Sequence, residues 1–141
     1  MTDATLLTYE EIKTGEVFAF QRTISQEDVL VFSKLTGDRS PLHINEEFGK
    51  NSKFGKNVVH GMLIGALFST LIGMHCPGKK SLYMSQTLQF KLPLFAGDTV
   101  TVKGTVISKH DAIRIVTIKT EVFRGNDMIV TGEAKTQVVE Y

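Results

Sequence analysis

The sequence holds one cysteine, three prolines and no tryptophan in 141 residues. With Cys76 alone, no internal disulfide can form. Charge of one sign is missing too: 16 basic residues meet 15 acidic ones, for a formal charge of +1. That balance lacks the clustered basic face nucleic acid requires, so no nucleic-acid partner is expected. Long apolar runs are likewise absent. The longest, from Val58 to Met74, is broken by His60, Ser69 and Thr70. It falls short of the roughly 20 mostly apolar residues that span a bilayer, and reads as a buried helix. No membrane partner follows from it. The opening MTDATLLTYEEIKTGE carries acids and no apolar stretch, unlike a secretory signal. A cytoplasmic location, or another reducing interior, is the expectation.

What is present is ordinary in bulk. Hydrophobic residues make up 42% and charged ones 22%, the proportions of a globular domain. No repeat, low-complexity tract or linker interrupts the chain, so residues 1–141 are expected to form a single domain. Val17 to Ile24 reads as a short strand. Ser25 suits an N-cap, with Glu27 and Asp28 in the first turn behind it. Val29, Leu30, Phe32 and Leu35 then give a helix one apolar side, and Gly37 suits its end. Arg39 to Lys56 is polar and reads as irregular loop with short turns. Gly61 to His75 predicts a second helix, apolar nearly all round and stopped by Pro77 and Gly78. A helix of that kind wants to be enclosed.

The periodicity then changes to two. Ser81–Leu94, Thr99–His110, Ala112–Phe123 and Met128–Val139 predict four long strands. His110-Asp111 and Gly125-Asn126-Asp127 supply hairpin turns, and Gly97-Asp98 another. Four or five antiparallel strands after one apolar helix imply an α+β chain in the hot-dog architecture, a sheet wrapped around a central helix. One sheet and one helix leave a sheet edge and a helix face open, which a homodimer would cover.

Two segments could carry chemistry. In Thr36-Gly37-Asp38-Arg39-Ser40-Pro41-Leu42-His43, a carboxylate and an imidazole stand five apart with a stiffening proline between them. Such a pair can divide acid and base duties over one water, as hydration of a double bond conjugated to a thioester requires. Equally, Asp38 could cap a turn and His43 could be a solvated loop residue. The second segment is Val58-Val59-His60-Gly61-Met62, where unpaired helix amides begin. A Gly61 amide there could stabilise a developing oxyanion, or Gly61 could be a plain packing glycine and His60 a cap or core residue. His60, His75 and His110 have no metal-ligand spacing with Cys76, and no metal is expected. Gly61-Met62-Leu63-Ile64-Gly65 lacks a phosphate loop's lysine. Gly78-Lys79-Lys80 could meet coenzyme phosphates or simply be solvated.

Taken together these segments resemble the MaoC-like dehydratases, and among them the small (R)-specific enoyl-CoA hydratases. Gly37-Asp38-Arg39-Ser40-Pro41-Leu42-His43 stands where the family has Gly-Asp-x-Asn-Pro-x-His. Val59-His60-Gly61-Met62-Leu63 looks like its central-helix start, and Gln89-Phe90-Lys91-Leu92-Pro93-Leu94 with Gly97-Asp98 like its following strands. The resemblance implies a hot-dog homodimer with an Asp38/His43 acid–base pair and an oxyanion contact from Gly61. It implies trans-2-enoyl-CoA as substrate and (R)-3-hydroxyacyl-CoA as product, with no cofactor beyond the coenzyme A or acyl carrier protein that bears the acyl group. Ser40, His60, Met62, Leu63, Ala66 and Leu67 are the expected substrate contacts, although Leu63, Leu67 and Phe68 could equally be core. Ser40 replaces the family's asparagine, and Ala66 stands where close relatives carry a serine. A thioesterase or a non-catalytic acyl-thioester binding module on the same fold are the alternatives.

Overall fold

In a computed structural model, which describes residues 2–140, six antiparallel strands and four helices follow the order β1 α1 α2 α3 α4 β2 β3 β4 β5 β6. The strands are β1 (Val17–Thr23), β2 (Ser81–Gln86), β3 (Gln89–Phe90), β4 (Thr99–His110), β5 (Ile115–Arg124) and β6 (Asp127–Val138). They form one sheet in the order β1-β4-β5-β6-β2, and β3 also pairs with β6. Alternation explains the sheet's two faces. Val102 lies opposite Val122, which lies opposite Val130, and all three are buried. One layer along, Val106, Ile118 and Ala134 repeat the arrangement.

Against this inner face lies α4 (Gly61–Thr70), continued by a π-helical turn at Leu71–His75. Phe68, Leu71 and Ile72 are almost fully enclosed there. The sheet therefore wraps a central helix, the hot-dog architecture expected from the sequence. The wider last turn ends at the cis Cys76–Pro77 bond, where the expected helix was a uniform α-helix to His75.

Other expectations need correction. The helix is not enclosed all round: Met62, Ala66, Ser69 and Thr70 line an exposed face. The predicted strand Ser81–Leu94 is broken at Thr87–Leu88 into β2 and β3. The polar loop holds two short helices, α2 (Pro41–Ile44) and α3 (Glu46–Asn51), too short for an apolar period to register. Proline at the first position of α2 and the Asn45 side chain, which accepts from the Phe48 amide, start them instead.

Helix α1 (Gln26–Thr36) begins on the expected cap: Ser25 accepts from the Asp28 amide, and Asp28 accepts in return from the Ser25 amide. Its buried line, however, runs through Val29 and Ser33, while Leu35 is 81% exposed.

Candidate active site

Four local devices bring the polar loop onto the start of α4. Helix α1 ends on Gly37, left-handed at φ 82°, which swings Asp38 out of the helix. The Asp38 carbonyl is then held twice, by the buried Ser33 hydroxyl at 2.6 Å and by His60 Nε2 at 3.1 Å. Further on, the Asn57 side-chain amide donates to the carbonyls of Pro41, Leu42 and Asn45, tying α2 to the strand-like approach of α4. A side chain at buried Gly49 would place its Cβ 2.5 Å from the Asn57 backbone nitrogen, so only glycine lets α3 sit this close.

These devices orient the ionisable groups. The Ser40 amide donates to Asp38 Oδ1 at 3.1 Å, leaving Oδ2 3.9 Å from His60 Nε2. His43 Nδ1 lies 2.7 Å from the Val58 carbonyl oxygen. A carbonyl only accepts, so Nδ1 carries the hydrogen and Nε2 presents a lone pair. By the same logic His60 Nε2 carries the hydrogen it gives to Asp38. Among the described residues, His60 Nδ1 is buried without a hydrogen-bond partner. The two imidazoles stack with centroids 3.9 Å apart, and Phe32 closes the far side of His60 at 4.9 Å.

A ring nitrogen of each histidine and a carboxylate oxygen of Asp38 all lie within 4.8 Å of one another. One water fits the same spacing with two ordinary hydrogen bonds of about 2.8 Å.

Two cavities meet at this point. The first, of about 470 Å³, is lined by Asp38, His43, Gly61 and a wall running from Phe90 to Leu94. The second, of about 710 Å³, lies between α1, α4 and β2, with Thr36, Ala66, Ser69 and Tyr83 on its walls. Asp38 and Met62 border both. Gly61 opens α4, where amides have no intrahelical partner. A Cβ on it would come within 3.0–3.2 Å of the Phe90 ring, pressing that ring against its surroundings.

The expected contacts are thus only partly assembled. Asp38, His43, His60, Gly61, Met62 and Ala66 border the cavities. Leu63 and Leu67 face a different, smaller pocket beside α1, and Leu67 and Phe68 are core. Ser40 contributes a backbone amide to Asp38 and lines neither cavity. Sequence reading missed Ser69, Thr36, Tyr83 and Gln86. Ser69 stands three residues after Ala66 on the same helix face, a spacing that could have exposed it. Burial pushes the Tyr83 phenol up to about 12, so it stays protonated and donates to Gln86. Gln86 in turn donates to Thr120 at 2.8 Å. Cys76 is buried and its thiol is pushed up to about 12, by desolvation first and Glu16 second, which suits packing and not nucleophilic attack.

Residues 10–127 match the model of the MaoC like domain. The chain is 37% identical over 126 residues to the (R)-specific enoyl-CoA hydratase of Aeromonas caviae, covering 89% of this chain and 94% of the relative. It is 39% identical to the mitochondrial 3-hydroxyacyl-(acyl-carrier-protein) dehydratase FERN of Solanum lycopersicum, covering 87% and 75%. Among solved structures, the (R)-hydratase from A. caviae involved in PHA biosynthesis superposes with a TM-score of 0.89 at 36% identity, over 92% of this chain and 99% of that one.

Proposed function

Because the chain belongs to the MaoC-like domain family, we propose that Asp38 and His43 hold the water of an enoyl-thioester hydration and that the Gly61 amide receives the developing oxyanion. The protein is a hydro-lyase, an (R)-specific enoyl-CoA hydratase acting reversibly on trans-2-enoyl-CoA. The observation carrying the site assignment is the gap of up to 4.8 Å between the Asp38 carboxylate and the imidazole nitrogens, with His43 Nδ1 committed to Val58.

In that arrangement His43 Nε2 and the carboxylate are both acceptors. Both hydrogens of the shared water point inward, and its lone pair points out toward the substrate. As the oxygen bonds to C3, the C2–C3 π electrons move toward C2 and the thioester oxygen, where an α4 amide stabilises the charge. The acceptor that takes the water's proton returns that proton to C2, which completes the addition and restores the pair. Because the water is held on one side of the substrate, one enantiomer forms. Asp38, on the border of both cavities, separates the carrier arm in the smaller cavity from the acyl chain in the larger, more apolar one.

The substrate arrives as a coenzyme A thioester and needs no further cofactor. One domain spanning 1–141, a homodimer and a reducing interior such as the cytoplasm complete the reading. The sheet edge at β2 and the buried thiol of Cys76 favour the last two. The test follows the conjugated enoyl-thioester absorbance of crotonyl-CoA. Asp38→Asn and His43→Gln should each lower kcat roughly 10²–10⁴-fold with unchanged thermal melting. Full activity in both variants removes the pair from the reaction.

A further inference from the structure

From Phe48 to Gly97 the chain contains six lysines and not one Asp or Glu, in a protein whose charges otherwise nearly cancel. This acid-free stretch supplies every residue lining the smaller cavity except Asp38 and His43. Its lysines divide into two groups. Lys80 pairs with Glu140 at 3.0 Å and lies beyond the π-helical turn with Lys79. Lys50 shares a surface hollow with Glu46 and Glu47.

Lys53, Lys56 and Lys91 are different. Lys91 is part of the cavity wall. The Lys53 ammonium lies 5.2 Å from the ring centre of Phe54, another wall residue. The Lys56 ammonium lies 4.4 Å from the ring centre of Phe95, next in the chain to the wall residue Leu94. All three are exposed, and among the described residues none forms an ion pair. Among the described residues the only lysines and arginines with carboxylate partners are Arg22, Lys80, Arg114, Lys119 and Arg124, so what sets these three lysines apart is their place at the cavity wall. Three unpaired cations therefore flank a cavity whose one lining acid is Asp38, a positive rim along its wall.

We infer that Lys53, Lys56 and Lys91 bind the phosphates of the coenzyme A carrier, so that this rim selects coenzyme A by its charge. The inference rests on the hydratase reading above. Coenzyme A brings a pyrophosphate and a ribose phosphate, while pantetheine alone brings neither. The aromatic rings under Lys53 and Lys56 hold the ammonium groups beside the cavity wall before substrate arrives.

The experiment compares the wild type with the Lys53→Ala/Lys56→Ala/Lys91→Ala variant on crotonyl-CoA and crotonyl-pantetheine. All three side chains are exposed, so the variant should melt with the wild type. Its KM for crotonyl-CoA should rise about tenfold, as three exposed ion pairs together supply, with kcat within about twofold. Its kinetics on crotonyl-pantetheine, which has no phosphates, should change far less than those on crotonyl-CoA. Added salt should raise the wild-type KM for crotonyl-CoA and leave that of the variant nearly flat. Calorimetric titration with coenzyme A, which requires no turnover, should show the same weakening. Equal effects on both thioesters, or none, overturn the inference. So does a larger loss on crotonyl-acyl-carrier-protein than on crotonyl-CoA, which would give the rim to an acidic protein face. Wild-type protein that binds coenzyme A through these lysines yet hydrates neither thioester would sink the hydratase reading and leave the rim standing.

Discussion

At the scale of single residues, His60 is the group whose place differs most from its expected role. It was expected as a substrate contact, yet it is 2% exposed and lies behind His43. Its hydrogen bond ends on the Asp38 backbone and its ring face on the His43 imidazole, so it positions both partners of the proposed water site. His60→Ala would open space behind His43 and remove one of the two donors on the Asp38 carbonyl. A shift of about 1 Å at the reacting groups costs roughly 10²-fold in rate, and kcat should fall by about that much with little change in KM. His60→Gln retains an amide donor and should recover part of the loss. A rise in KM at constant kcat would return His60 to substrate binding. Residue type and spacing single out Asp38 and His43 as a candidate pair, and it is the family resemblance that favours chemistry over a turn cap and a solvated loop residue. Their orientation could not, since it depends on Ser33, Val58 and Asn57, which meet them only in three dimensions. Ser33 in particular reads as a polar interruption of α1, and only its bond to Asp38 explains why it is buried.

Among the elements, those with a long regular period were legible and those set by single contacts were not. Strand β4 runs over Thr99–His110 as alternation predicts, and the Ser25 cap begins α1. In α2 and α3 too few residues exist to show a period, so their caps carry the information. The α1 cap also has a pH signature. The Ser25 amide, chiefly, holds the Asp28 carboxyl below its ordinary value, with Arg22 adding a smaller pull. A carboxyl lowered on folding stabilises when ionised. Its contribution is complete above the unfolded value near 3.8 and disappears as pH falls through the lower folded one. Asp28→Ala should therefore cost about 1 kcal/mol at neutral pH. The gap between variant and wild type in urea melts should narrow below about pH 4. A gap that is constant across that range would mean that Asp28 acts through packing. Asn57→Ala is a test at the same scale, because it frees three carbonyls of α2 and its flank at once. Each lost bond is worth about 1 kcal/mol, and activity should fall along with the melting temperature since His43 rides on α2.

For the whole molecule, the question is what covers the apolar surface that one sheet and one helix leave open. Leu82 and Met84 on β2, Phe90 on β3, Leu92 beyond it and Met62 on α4 are each between 43% and 59% exposed. Strand β2 is also a sheet edge, whose outward amides and carbonyls have no neighbouring strand among the described residues. A second copy pairing there would bury the side chains and complete the ladder together. It would also close the cavities, since Met62 borders both of them and Phe90 and Leu92 wall the smaller. Sedimentation should accordingly report a particle of twice 15.6 kDa at micromolar concentration. Leu82→Glu with Met84→Glu sets four like charges along the shared edge of the pair, and should yield a folded monomer. If pairing completes the site, that monomer loses hydration of crotonyl-CoA even though Asp38, His43 and Gly61 are untouched. A variant that is monomeric by sedimentation and fully active would confine the entire reaction to one chain.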